Sequence, residues 1–362
     1  MNIIKITFIL ICLFTSINSF GQLKYERLFK KEKFGKVERK LSKDVEKNPD
    51  DVFLTYTLSV LYFQREFKKY NCEKAYDYIL KAKKIYNSAS HDETEKYNKK
   101  GVTIDLFKIT IDSITNNALE DVATKNTVSD YNHFLSKFRE APAKYKREAT
   151  SLRNTCAYNN TLRINTVNSF QDFIDKYPEA EQYSLAVEKR NDLAYNEAKQ
   201  LDNVHAYKTF IMNYPRAKQV SVANVRIHEL EFEHAESINT SKSYNDFIKE
   251  YPNSKQYNTA FKRYEKLKYE ESVIPGNWES YEYFIERNPK NLWVSVALDS
   301  IWTIAVEEKQ IKQLNYCVNH FRGADRNKAL LLLHDVFTDD GETATLDLFY
   351  ETPMIVHKHK HE

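Results

Sequence analysis

Four segments of the chain repeat one pattern of aromatic, Tyr-Pro or Asn-Pro, and alanine residues. They read FQDFIDKYPEAEQYSLA (170–186), YKTFIMNYPRAKQVSVA (207–223), YNDFIKEYPNSKQYNTA (244–260) and YEYFIERNPKNLWVSVA (281–297). Each segment begins 37 residues after the one before it. A fixed period of between roughly 20 and 50 residues indicates a repeat array. The pattern therefore predicts stacked copies of one structural unit.

Each copy of the pattern predicts a hairpin of two helices. In one copy the longer helix covers approximately 180–198, with Ala186 on its buried stripe, and the shorter one covers 203–213. Apolar residues at spacings of three and four place one face of each helix in the core. The proline disfavours helical backbone at the residue before it and so ends the shorter helix. One hairpin cannot cover its own apolar stripe, so we expect an all-α solenoid of stacked hairpins.

Composition agrees with a long helical array. The 362 residues include 6 glycines and 8 prolines, too few for the many tight turns of a β-sandwich or propeller. The 25 tyrosines and 21 phenylalanines supply enough apolar surface to order a long fold, which argues against disorder. The net charge of +3 favours neither anionic nor cationic partners, and we expect no nucleic-acid binding.

The amino terminus has the features of an export signal. Lys5 precedes the apolar run 6–14, and the small residues Ser19 and Gly21 stand where cleavage before Gln22 would require them. The run is far shorter than the roughly 20 residues that span a bilayer, so no transmembrane segment is expected after signal removal. The alternative interpretation is an uncleaved anchor.

No motif in the chain carries catalytic chemistry. The glycines are too widely spaced for a phosphate-binding loop or a nucleophile elbow, and no His-Glu-x-x-His or Cys-x-x-Cys motif occurs. Cys72, Cys156 and Cys317 are dispersed and odd in number, which predicts small buried hydrophobes and no disulfide framework. We therefore expect no catalytic, cofactor-binding or metal-ligating residues, and a protein that is not an enzyme.

Two features near the carboxyl terminus have a functional and a structural interpretation. The acidic residues of 339–342 lack the alternation of a calcium loop and predict a turn. Histidine and lysine alternate over 357–361, a pattern that binds transition metals loosely, and a flexible solvated tail is the preferred interpretation.

The pattern Tyr-x-x-Phe-Ile, followed by Tyr-Pro and by alanine eight residues after the proline, resembles tetratricopeptide-repeat proteins of the bacterial envelope. The family includes the lipoprotein of the β-barrel assembly machinery and the cell-division coordinator that works with Tol–Pal. The resemblance covers about 23–336 and implies a helical-hairpin fold. The chain departs from the family in its 37-residue period instead of about 34, in a missing first-helix glycine, and in the absence of a lipid-bearing cysteine after the signal.

The predicted organisation has four parts. These are a signal peptide (1–21), N-terminal tetratricopeptide-like helices (22–125), five hairpin repeats (126–309), and a degenerate terminal repeat with a flexible tail (310–362). The first of the five repeats carries Tyr131, Phe134, Phe138 and Ala149, with two extra residues in its loop.

The leading functional hypothesis is an exported scaffold, in the periplasm or at the cell surface, that binds a protein or an extended peptide. Its partner should contact positions that vary between copies, and Lys189, Arg226 and Lys262 are the candidates. The alternative is a glycan- or peptidoglycan-binding module that uses Trp278 and Trp293. Burial of those tryptophans would count against the alternative. Oligomeric state is left open.

A basic stretch precedes the repeats. Residues 22–47 carry ten lysines and arginines against five acids, a balance that can attract phosphate headgroups. Because the two signs are interspersed in the sequence, a solvated helix face is the preferred interpretation.

Overall fold

The computed structural model describes residue 25 and residues 27–339, and it contains no strand within them. The predicted signal peptide, its cleavage site, and the tail from 340 onward lie outside the described residues. The helices are α1 (Phe34–Lys47), α2 (Val52–Tyr62), α3 (Cys72–Ser88), α4 (His91–Lys99), α5 (Ile104–Lys125), α6 (Val128–Lys137), α7 (Ala143–Ile164), α8 (Val167–Lys176), α9 (Tyr183–Leu201), α10 (Val204–Asn213), α11 (Val220–Ile238), α12 (Ser241–Glu250), α13 (Tyr257–Glu270), α14 (Trp278–Arg287), α15 (Val294–Glu308), α16 (Ile311–His320) and α17 (Gly323–Asp339).

The chain divides into two compact units, Met1–Ala194 and Tyr195–Glu362. In the first unit α1 to α3 pack in chain order, α3 packs on α5 across the short α4, which buries no residue, and α5 to α8 again pack in chain order. The two long helices α5 and α7 also contact each other, as the longer helices of stacked hairpins must.

In the second unit, helices α10 to α13 pack in chain order, and so do α14 to α17. Within each unit the fold is thus a series of consecutive helical hairpins. The predicted fold class, an all-α solenoid of such hairpins, is confirmed.

The turn into each shorter helix is made by two adjacent residues with different tasks. The first adopts the left-handed conformation that Asn, Asp and Gly tolerate best, and in four of the five turns it directly follows the longer helix, whereas Gly276 comes six residues after Glu270. These residues are Asn126, Asn165, Asp202, Asn239 and Gly276, with φ between 40° and 79°. The second is an N-cap whose side-chain oxygen accepts a hydrogen bond from a backbone N–H of the shorter helix. The N-caps are Thr127, Thr166, Asn203, Thr240 and Asn277.

The repeated aromatic and alanine positions form the core, as the period predicts. The alanines, each fully buried, are Ala149, Ala186, Ala223, Ala260 and Ala297. The aromatic pairs, all at most 6% exposed, are Tyr131/Phe134, Phe170/Phe173, Tyr207/Phe210, Tyr244/Phe247 and Tyr281/Phe284. A buried residue without a side chain beyond Cβ lets two helices approach closely, and the rings fill the space beside it.

Candidate functional site

Two of the three predicted partner-binding residues, Lys189 on α9 and Lys262 on α13, are exposed. Neither side chain has an ion pair or hydrogen bond within residues 27–339. Lys189 is the third residue after Ala186, whereas Lys262 is the second after Ala260. Because a helix turns by about 100° per residue, the two lysines occupy different positions of the repeat.

Arg226, the third candidate, belongs to an ion-pair cluster. Its guanidinium group donates to both carboxylate oxygens of Asp202, at 3.0 and 2.9 Å, and lies 3.0 Å from Glu229 and 3.1 Å from Glu233. The hydrogen bond from Arg226, followed by one from the Tyr207 hydroxyl, lowers the pKa of Asp202. Asp202 is the left-handed turn residue before α10, so Arg226 ties this turn to α11.

A second arginine at the same position of the repeat makes similar contacts. Arg263 lies 37 residues after Arg226, donates to the Tyr244 hydroxyl at 3.0 Å, and pairs with Glu236. Lys189, 37 residues before Arg226, shares this position of the repeat but makes no such contact within the described residues, whereas Lys262 lies one residue off the register.

An exposed aliphatic side chain recurs next to the buried alanine. The residue before the alanine is Leu185, Val222 or Val296 in three of the copies, and these side chains are 54%, 55% and 37% exposed. Core packing does not require an apolar group that faces water, and exposed apolar surface on a folded protein often marks a contact site. The position is therefore a candidate for partner contact.

The two tryptophans of the glycan hypothesis are engaged in packing. Trp278 is 3% exposed, its ring meets Tyr316 edge to face, and its Nε1 donates to Glu282 at 3.2 Å. Trp293 is half-buried and stacks on Tyr269, with ring centroids 5.4 Å apart. Neither ring is fully exposed, so neither offers the open platform on which a sugar would stack.

An open groove of about 340 Å³ lies in the first unit, between α7 and the segment that leads into α9. We call it the α7 groove. Its lining residues are Lys146, Arg147, Thr150, Ser151, Asn154, Glu179, Glu181 and Gln182. The sequence alone does not reveal it, because these residues come from two separate stretches and, apart from Asn154 and Gln182, follow no common 37-residue register. The recurrence of glutamine at 182, 219 and 256, and of asparagine at 154 and 191, is the signal that the sequence offers.

The α7 groove contains an unsatisfied hydrogen-bond acceptor. Nε2 of Gln182 donates to Oγ1 of Thr155 at 3.1 Å, but Oε1 of Gln182 is buried and has no hydrogen-bond partner within the described residues. Asn154, 6% exposed, is satisfied differently, since its Oδ1 accepts two N–H bonds from Arg153. A buried acceptor without a donor costs about 1–3 kcal/mol, so a donor that reached Oε1 of Gln182 would stabilise this site.

Both signs of charge line the α7 groove. Arg147 on α7 and the two acids Glu179 and Glu181 are exposed, and none of the three has an ion pair within the described residues. Lys146 is partly buried, and its Nζ donates to the Arg139 carbonyl at 3.2 Å. The groove therefore presents cationic and anionic groups that are not committed to each other.

Beyond the α7 groove, a predicted site residue lies on the same side of α9 as Leu185. Gln182, Leu185 and Lys189 are spaced by three and four residues. The carbonyl of Gln182 accepts a hydrogen bond from the N–H of Ala186, so Gln182 already follows the geometry of the helix. At this spacing, the three side chains lie on the same side of the helix over about 10 Å. The acceptor, an exposed aliphatic group and a free cation thus form one continuous strip.

The cysteines lack the features of catalytic thiols. All three described cysteines are free and buried, and burial raises the pKa of Cys72 to about 12 and that of Cys317 to about 11. The thiolate is the reactive form, so a raised pKa makes Cys72 and Cys317 poor nucleophiles at neutral pH. In the described part of the chain, no group of three or more His, Cys, Asp or Glu residues is placed to hold a metal ion.

Among the helices that the structure describes, none combines the length and apolar character that crossing a membrane requires. The sequence matches no protein-family model and no curated protein. The tetratricopeptide resemblance therefore stays a resemblance, and function has to be argued from the surfaces described above.

Proposed function

We propose that this protein is an exported, non-enzymatic scaffold that binds an extended segment of a partner protein in the α7 groove. The buried Oε1 atom of Gln182 carries this proposal, because it lacks the hydrogen bond that a peptide N–H could donate. An extended peptide has one such donor at almost every residue.

The remaining lining of the α7 groove suits the side chains of a peptide. Arg147 is available for an acidic side chain, and Glu179 or Glu181 for a basic one. Beyond the groove, Leu185 offers apolar contact and Lys189 a further cation. In a common mode of peptide recognition, main-chain hydrogen bonds supply the affinity and side-chain contacts supply the selectivity.

Site-specific photo-crosslinking in the producing cells tests the proposal. A photoreactive phenylalanine analogue at Ser151, which lines the α7 groove, should give discrete adducts with one or a few proteins. The matched control places the same analogue at Asn159, an exposed residue of α7 outside the groove lining. Asn159 should give no such adduct.

A blocking substitution supplies the second arm of this test. Ser151→Trp should fill the α7 groove and lower capture of the crosslinked partner at least tenfold, whereas Asn159→Trp should leave capture unchanged. Equal adducts at both positions, or full capture by the blocked groove, would rule out this site. Adducts that glycan-degrading enzymes remove would favour the glycan alternative.

A further inference from the structure

Helix α1 carries a row of five lysines along one side. Lys33, which precedes the helix as its N-cap, is followed by Lys36, Lys40, Lys43 and Lys47, at intervals of three and four residues. These intervals keep the side chains on one narrow stripe, about 21 Å long at 1.5 Å per residue. All five lysines are exposed, and none has a side-chain partner within residues 27–339. We call this row the lysine stripe.

The acids of α1 only partly offset the charge of the lysine stripe. Glu38 is bound by Nζ of Lys69 at 2.8 Å and by the Tyr62 hydroxyl at 2.9 Å, and Asp44 accepts a hydrogen bond from the Tyr25 hydroxyl. Glu46, the remaining acid of α1, lies about 100° around the helix from the centre of the stripe. Glu38 is therefore paired with a lysine outside the stripe, and five cations of the stripe face two remaining acids, Asp44 and Glu46, at its side.

The lysine stripe is held on a fixed support. Phe34, Val37 and Leu41 of the same helix are buried, at 8%, 0% and 0% exposure, and α1 packs on α2. Five cations therefore stay in a line on the surface, with no ordering of a flexible segment needed to assemble them.

The chemistry of the stripe fits a flat anionic surface. Lysine is a point charge that pairs with phosphate without the planar two-point geometry of arginine, and the row is linear and exposed. Phosphate headgroups of a bilayer present many such charges in a plane, and each lysine near that plane adds about fivefold to binding. The predicted export signal also places the protein beside a membrane and away from nucleic acid.

We propose that the lysine stripe of α1 holds this face of the protein against an anionic phospholipid membrane. The interaction is electrostatic and reversible, and it is independent of the α7 groove. It leaves that groove free to bind a peptide partner at the membrane surface.

Co-sedimentation of the mature chain with lipid vesicles tests this proposal. Vesicles with roughly one third phosphatidylglycerol should bind the protein, and pure phosphatidylcholine vesicles should not. Binding should fall when salt is raised from about 50 mM to 300 mM, because screening shortens the reach of the charges. Absence of binding to the anionic vesicles would overturn the proposal.

Two triple variants of equal net charge separate the stripe from overall charge. Lys36→Gln/Lys40→Gln/Lys43→Gln should lower binding to anionic vesicles by about 100-fold, at fivefold per lysine. The control, Lys81→Gln/Lys84→Gln/Lys176→Gln, changes exposed lysines that have no recorded side-chain partner within the described residues and should bind like the wild type. Equal losses in both variants would overturn the proposal. The proposal would also be overturned if the protein bound polyglutamate through the stripe but did not bind the vesicles. That result would indicate an acidic protein partner. Unchanged helical circular dichroism confirms that each variant is folded.

Discussion

At the scale of single residues, Arg226 shows how a variable surface position differs from a structural one. Its guanidinium group joins the turn residue Asp202 to Glu229 and Glu233 of its own helix, so its contacts are already satisfied inside the molecule. Lys189 and Lys262 have no such contacts within the described residues. Of the three residues predicted to bind a partner, these two retain the freedom that binding requires.

Removal of the Arg226 side chain should therefore act on stability. Arg226→Ala should lower the free energy of unfolding by about 1 kcal/mol, the upper range for exposed ion pairs. Lys262→Ala, a change on an exposed helical face, should stay within about 0.5 kcal/mol of the wild type. Urea unfolding at neutral pH measures both. Equal effects of the two substitutions would contradict the structural role of Arg226.

The ion pair between Arg226 and Asp202 makes the stability of the folded protein depend on pH, and the direction of that dependence follows from the pKa of Asp202. The pKa of Asp202 in the folded protein is lowered by Arg226 and Tyr207, so the stabilisation is complete above the ordinary carboxyl value and is lost as pH falls through the folded pKa. Asp202 accordingly contributes to acid destabilisation below about pH 4, and Arg226→Ala should reduce that contribution. Unfolding curves at neutral and acidic pH should show the smaller pH effect in the variant.

The two free lysines should act on binding. Reversal of both charges, Lys189→Glu with Lys262→Glu, should weaken partner capture and flatten its salt dependence, because opposite charges steer the encounter. The melting temperature should change little, since exposed substitutions usually cost no more than about 0.5 kcal/mol each. Arg226 is omitted because its reversal would place a fourth acid among Asp202, Glu229 and Glu233. Capture at wild-type strength and salt response would remove these lysines from the interface.

At the scale of elements, each repeat owes its shape to a few side chains of fixed type. A left-handed Asn, Asp or Gly precedes the N-cap of the shorter helix, and an aromatic pair with a buried alanine fills the interior. In three copies the tyrosine hydroxyl also donates to the side chain of the turn residue five positions earlier. These pairs are Tyr131 with Asn126, Tyr207 with Asp202, and Tyr244 with Asn239.

Truncation of one core ring should destabilise its own repeat first. Phe247, 4% exposed, contacts the rings of Phe232 and Tyr251, and Phe247→Ala should cost about 3–5 kcal/mol. Because repeats contact mainly their neighbours, hydrogen-exchange protection should fall over 207–284 more than near residue 60. Tyr283→Ala, at a site 56% exposed, is the control and should leave protection nearly unchanged. Uniform loss along the chain would contradict a modular core.

The periodic part of this architecture could be predicted from sequence, and the site could not. Aromatic and alanine positions recur every 37 residues because each copy must fill the same interior, so their register identifies the core without coordinates. The α7 groove depends on how the segment 179–182 comes to rest on α7, which no period encodes. Likewise, the lysine stripe looks neutralised in the sequence, because the contacts of Glu38 with Lys69 and Tyr62 appear only in the folded chain.

At the scale of the whole molecule, we propose an exported protein with two separate binding surfaces, the α7 groove and the lysine stripe. Export is inferred from the amino-terminal sequence alone, and it has its own test. The mass of protein recovered from the cell envelope should correspond to a chain that begins at Gln22. An intact Met1 would contradict a cleaved signal, and a lipid-sized increase on Cys12 would indicate a lipoprotein.

The central claim, a peptide-binding α7 groove with an acceptor held ready at Gln182, is tested most directly by Gln182→Leu. The measurement is the affinity for the peptide segment identified by crosslinking at Ser151, taken together with the free energy of unfolding. Loss of one peptide hydrogen bond, worth about 1 kcal/mol, should weaken binding about fivefold. Stability should stay the same or rise, because removal of a buried unsatisfied acceptor offsets the lost bond to Thr155. Unchanged affinity, or a stability that falls while binding is retained, would contradict the account.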